Sequence, residues 1–196
     1  MKKYFLALLP LVLFFAAATT VAAQQKPASL TTVPKVDLKQ YSGKWFEIAR
    51  YPNKFQKQCV ANVTANYTIK TNGKIEVLNQ CLKSDGAVED AKGEARIADK
   101  ATNAKLEVRF APKLLSFIPA VWGDYWIIYL DDAYQNVAIG DPKREYFWIL
   151  SRQPEMSDAT YQDILRRAET LGFNPAKVVK TPQKVESVPG ATVQQK

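Results

Sequence analysis

The sequence predicts an all-β domain, sandwich or barrel, of eight short strands followed by one helix. Two observations carry this. Between Lys44 and Arg152, runs rich in aromatic and β-branched residues recur at fairly even spacing, each broken by turn residues. No helical period interrupts them until Ser157.

Ahead of the strands, Met1-Lys2-Lys3 is a basic start, Tyr4 to Ala18 is almost wholly apolar, and Val21-Ala22-Ala23 supplies small residues. This order predicts a signal peptide over 1–23 with cleavage after Ala23. The apolar run is marginal for a membrane span and is followed at once by Gln24-Gln25-Lys26. No cysteine lies near the junction to accept a lipid. The expectation is an exported protein, periplasmic or secreted, with an N-terminal extension over 24–35, one domain over 36–183 and a flexible tail over 184–196.

Strands are expected at about 44–51, 60–70, 74–82, 88–98, 104–110, 124–130, 136–140 and 145–151. Thr71-Asn72-Gly73 marks the clearest hairpin, glycine after asparagine supplying the positive φ of a turn with a bulge. In the fifth run Leu106, Val108 and Phe110 alternate with Lys105, Glu107 and Arg109, giving an apolar and a wet face. After the eighth strand Ser157 is an N-cap. Tyr161, Ile164, Leu165, Ala168 and Leu171 then recur at helical spacing until Gly172 stops the helix. From about Thr181 the chain is rich in Pro, Gln, Lys and Val without periodicity.

Composition narrows the chemistry. The chain has no histidine, so the commonest general base and metal ligand are missing, and neither metal nor cofactor is expected. The formal charge of +8 comes from lysines scattered along the chain, not clustered with aromatics. That pattern argues for a solvated surface and against a nucleic-acid partner. Cys59 and Cys81 lie near the remote ends of their hairpin strands and share a face, though not directly opposed. In an exported chain they are expected to be bonded, the alternative being two buried thiols.

Three pieces carry a family resemblance: Gly43-Lys44-Trp45 entering the first strand, Leu130-Asp131-Asp132-Ala133-Tyr134 leaving the sixth, and Trp148-Ile149-Leu150-Ser151-Arg152-Gln153-Pro154 closing the eighth. In this order they resemble the three motifs of the lipocalin family. The resemblance runs from about Val36 to Gln183, and within the family it is strongest to bacterial Blc-type lipocalins, plant temperature-induced lipocalins and apolipoprotein D. The second motif departs from the usual Thr-Asp-Tyr. The resemblance implies an eight-stranded antiparallel up-and-down β-barrel with one C-terminal α-helix packed outside. In it Gly43, Trp45 and Arg152 are structural, the arginine lying over the indole at the closed end.

If Trp45 faces inward, parity turns Glu47, Ala49 and Tyr51 inward, and Arg152 likewise implies Trp148 and Tyr146. Likeness to apolipoprotein D adds Tyr67, Asn79 and Tyr125 to the pocket lining. The ligand-binding candidates are therefore Glu47, Tyr51, Tyr67, Asn79, Tyr125 and Trp148. The implied function is binding and transport or storage of fatty acids, lysophospholipids or similar hydrophobic molecules by a monomer or weak dimer, in membrane maintenance or stress. The connection between the fifth and sixth expected strands, containing Leu114, Leu115, Phe117, Ile118 and Trp122, is too apolar for an ordinary loop. It is expected either to contact a membrane surface or a partner during ligand loading, or to fold over the mouth as a lid. The chain is not expected to be an enzyme. The alternatives are an isomerase-like lipocalin using a free Cys81 and a periplasmic interaction module.

Overall fold

A computed structural model describes residues 29–184, together with the backbone of Gln194–Gln195. The expected signal peptide and most of the expected tail lie outside the described residues. A four-residue helix, α1 (Leu38–Tyr41), leads into β1 (Gly43–Arg50), β2 (Cys59–Ile69), β3 (Ile75–Lys83), β4 (Val88–Ile97), β5 (Lys105–Arg109), β6 (Gly123–Leu130), β7 (Asn136–Gly140) and β8 (Phe147–Ser151). Then come α2 (Asp158–Thr170), β9 (Val179–Lys180) and β10 (Gln194–Gln195). Each of β1 to β8 pairs antiparallel with its sequence neighbour, and β8 returns to β1, so the sheet closes into an eight-stranded barrel.

The local reasons follow the sequence. Gly73 takes φ +78° in the β2–β3 turn, where its N–H donates to Lys70 O at 2.9 Å. Ser157 caps α2 by accepting from the Thr160 N–H, and Gly172 ends it at φ +89°. Inside the barrel, Trp45, Tyr67, Val77, Leu106, Ile127, Ile139 and Leu150 belong to one core. A second core lies outside the sheet, where Tyr161, Ile164, Leu165 and Ala168 of α2 meet Ile48, Ala49, Ile128, Phe147 and Ile149.

Alternation along β1 is broken by a bulge. Glu47 pairs with Leu150 but Ala49 pairs with Ile149, so Ile48 and Ala49 both join the outer core. This corrects two parity expectations. Tyr51 lies outside the barrel, 5.5 Å from the Phe147 ring, and its hydroxyl donates to Asn174 O at 3.0 Å. Arg50, opposite Trp148, turns inward in its place.

The end of the domain is also more ordered than the missing periodicity suggested. β9 pairs with Ala49 and Arg50, and Thr181 N–H donates to Ile48 O at 2.9 Å. Pro182 O accepts from Asn62 N–H at 2.8 Å, and the Gln183 amide donates to Glu47 O and Val63 O at 2.7 and 2.9 Å. Residues 181–183 therefore fill the seam where β1 and β2 stop pairing beyond Phe46 and Thr64. Within the stretch expected to be a flexible tail, Gln194–Gln195 lies parallel to Glu89–Asp90 of β4.

Candidate functional site: a plugged barrel

The closed end is built by the three motifs together. Arg152 places its guanidinium carbon 3.8 Å from the centroid of the fully buried Trp45 ring. It donates to the carbonyls of Gln40, Tyr41, Ser42 and Lys44 at 2.6–3.0 Å. The indole N–H of Trp45 donates to Tyr41 O at 2.8 Å. Gly43 sits at φ +95°, a left-handed conformation that favours glycine. The second-motif turn joins in: Tyr134 O accepts from Arg152 Nε at 3.3 Å, and the Tyr134 hydroxyl accepts from Asp37 N–H at 2.9 Å. One cation thus ties α1, β1, the β6–β7 turn and β8 into a floor.

Above the floor three tyrosine hydroxyls form a chain. Tyr125 Oη lies 2.6 Å from Tyr41 Oη and 2.9 Å from Tyr67 Oη. Burial holds all three phenols in their neutral, donating form, pushing Tyr67 up to about 12 and Tyr41 and Tyr125 well above the ordinary phenol value. They line, with Leu38, Ser42, Ile75, Ala95, Leu106 and Val108, a cavity of about 10 Å³, close to what one water needs. A larger guest at this level would have to displace these rings.

Nearer the mouth is a polar cluster. Glu47 is only 2% exposed; Arg50 Nη1 and the Gln56 amide each donate to its carboxylate at 2.7 Å, and the Thr181 hydroxyl does so at 2.5 Å. Gln56 Oε1 accepts from the Trp148 indole at 2.9 Å, so the β1–β2 connection is tied across the interior. The Tyr146 ring stacks on Trp148 at 5.9 Å, and Phe55 lies 5.8 Å from Tyr146 at the rim. Asn79 Oδ1 and Arg50 Nε are buried without partners. With the barrel, its plug and its inner wall defined, comparison with known proteins settles the family: a lipocalin-like domain matches residues 36–183.

The chain is a lipocalin. It is 40% identical to temperature-induced lipocalin-1 of Arabidopsis thaliana over 79% of this chain and 83% of that protein. It is 35% identical to the outer membrane lipoprotein Blc of Escherichia coli K12, over 88% and 95%. Apolipoprotein D of Mus musculus is also 35% identical, over 75% and 77%. Among solved structures, insecticyanin of Manduca sexta superposes with a TM-score of 0.60 at 20% identity, covering 84% of this chain and 87% of that one. That likeness concerns the fold.

On the inner wall of this lipocalin the structure places Glu47, Tyr67, Asn79, Tyr125 and Trp148, and it removes Tyr51. Sequence reasoning did not single out Tyr41, Arg50, Gln56 and Thr181. Arg50 stood inside the first expected strand but was turned outward by parity, Tyr41 ends the single turn of α1, and Gln56 and Thr181 lie on irregular segments. Cys59 and Cys81 are bonded to each other, and no cysteine among the described residues is free. The thiol isomerase reading required a free Cys81 and is overturned.

The β5–β6 connection stands at the mouth as two single helical turns, Lys113–Leu115 and Pro119–Val121. Leu114 and Phe117 point to solvent, 81% and 77% exposed, whereas Leu115 and Ile118 are half-buried. Trp122 is also half-buried, its ring centroid 4.1 Å from the Arg96 guanidinium carbon and 5.2 Å from that of Arg109. Its indole N–H donates to Ser116 O at 2.8 Å, folding the loop on itself.

Proposed function

We propose that this lipocalin binds and carries a small hydrophobic molecule, of the kind represented by long-chain lipids, in an extracytoplasmic compartment. The observation that carries the reading is the interior itself. One end is plugged by Trp45 and Arg152, the wall is aromatic and aliphatic, and a few polar groups are set into it. Burial of apolar ligand surface, at roughly 25 cal/mol per Å², drives loading. Tyr67, Asn79, Tyr125, Glu47 and Trp148 line the path, and the unpartnered Asn79 Oδ1 offers an acceptor to a ligand group. Because the space beside the tyrosines is so small, loading also requires the Gln56 tie and the aromatic rings to move.

Export follows the leader read in residues 1–23, and the name of one relative, outer membrane lipoprotein Blc, agrees with a location outside the cytoplasm. Native mass spectrometry of protein purified from its own host, with lipid analysis of what organic extraction releases, tests the reading. A defined lipid bound one to one is expected. An empty barrel that also ignores every apolar probe would sink it.

The exposed pair Leu114 and Phe117, with Lys113 beside them, supports membrane contact by this loop during loading. Co-sedimentation with vesicles of phosphatidylethanolamine and phosphatidylglycerol should fall sharply in a Leu114→Ser, Phe117→Ser variant. Equal binding by both proteins would leave the loop as a lid only.

A further inference from the structure

We infer that the cargo end buried in this barrel is uncharged, because, among the described residues, the one cation facing the interior below the rim is already neutralised by the chain itself. This rests on the carrier reading above and narrows its ligand class. Below the rim, the described inward-facing strand positions carry two formal charges, Glu47 and Arg50, and these pair at 2.7 Å. At the rim Lys83 is held by Asp85 at 3.0 Å, and Glu89, opposite Cys81 in the ladder, adds a further carboxylate. Arg152 is spent on backbone carbonyls under Trp45. A fatty-acid carboxylate drawn inside would have to share Arg50 with Glu47, leaving a net buried negative charge. A cationic head fares no better, since Glu47 already accepts from Arg50, Gln56 and Thr181.

Three buried polar atoms lack partners among the described residues; Arg109 Nε belongs to the outward side of β5, which leaves on the inner wall one spare donor, Arg50 Nε–H, and one spare acceptor, Asn79 Oδ1. They belong to the same side of the barrel. Arg50 Nη2 donates to Cys59 O at 3.5 Å, Cys59 is bonded to Cys81, and Cys81 is the next inward position above Asn79. A hydroxyl or amide, which both donates and accepts, satisfies the pair; a carboxylate cannot donate to Asn79. Glu47 is thus a specificity residue that acts through Arg50, rejecting charged heads by occupying their natural partner.

The test is displacement of the neutral fluorophore N-phenyl-1-naphthylamine by 1-hexadecanol, monopalmitoylglycerol or palmitate at neutral pH. The two neutral lipids should bind at least about tenfold more tightly than palmitate. Glu47→Gln frees Arg50, and palmitate should then gain about tenfold relative to hexadecanol. Palmitate binding as tightly as hexadecanol to the wild type, or an unchanged preference in a folded Glu47→Gln variant, would overturn the inference and leave the carrier reading intact. Failure of the fluorophore and of all three lipids to bind would overturn both. If circular dichroism shows Glu47→Gln unfolded, the wild-type comparison decides alone.

Discussion

Two carboxylates of this lipocalin show how environment divides one chemistry. Glu47 lies inside the wall and is met by three donors. Asp124 lies on the outer face directly opposite Glu107, so β5 and β6 set like charges side by side. Burial, with repulsion from Glu107 and Asp141, raises the Asp124 carboxyl above its ordinary value, while Trp126 and Lys143 pull the other way. A carboxyl that holds its proton more tightly when folded favours the fold in acid, and this advantage is lost as pH rises through the folded value. Asp124→Asn should therefore raise the urea midpoint at neutral pH, by well under about 1 kcal/mol because the group is largely solvated. The gain should vanish at a pH below the ordinary carboxylate range. A variant weaker than wild type at neutral pH would show that the carboxylate is needed where it stands. At this scale the sequence was legible where a residue sits in a regular strand. Glu47, Tyr67 and Tyr125 were placed inside from alternation and resemblance. Tyr51 was placed inside and Arg50 outside, the reverse of the structure, because the bulge between Glu47 and Ala49 reverses the faces beyond it.

Among elements, the eight strands and α2 were readable because each has a local cause: alternation, an Asn-Gly turn, a serine cap, a glycine stop. The unread elements have none. α1 is one turn long, fixed by Asp37 accepting from the Lys39 N–H at 2.8 Å and by the Arg152 plug above it. Residues 179–183 carry no periodicity and owe their order to partners far away in sequence. Their removal tests this. A chain ending at Lys180 leaves Glu47 O, Val63 O, Ile48 O and the Asn62 N–H without these partners and takes one donor from the Glu47 carboxylate. With a net cost of about 1 kcal/mol for each of these five hydrogen bonds, the truncation should cost roughly 5 kcal/mol in equilibrium unfolding. A loss indistinguishable from zero would mean that water replaces the segment.

For the whole molecule, the barrel was legible from resemblance and strand count, but its two cores were not separable from sequence. Both are apolar, and only closure decides which face of β1, β7 and β8 looks inward and which meets α2. The seam filled by residues 181–183 has a consequence in time as well as in space. Because β1 is completed on one side by β8 and on the other, beyond its pairing with β2, by the end of the domain, the first strand waits for the last residues of the domain. A chain emerging amino end first therefore holds an unclosed sheet until nearly all of it is free. Such long-range pairing slows folding, keeping the polypeptide threadable through a narrow channel for as long as its carboxyl end is held back.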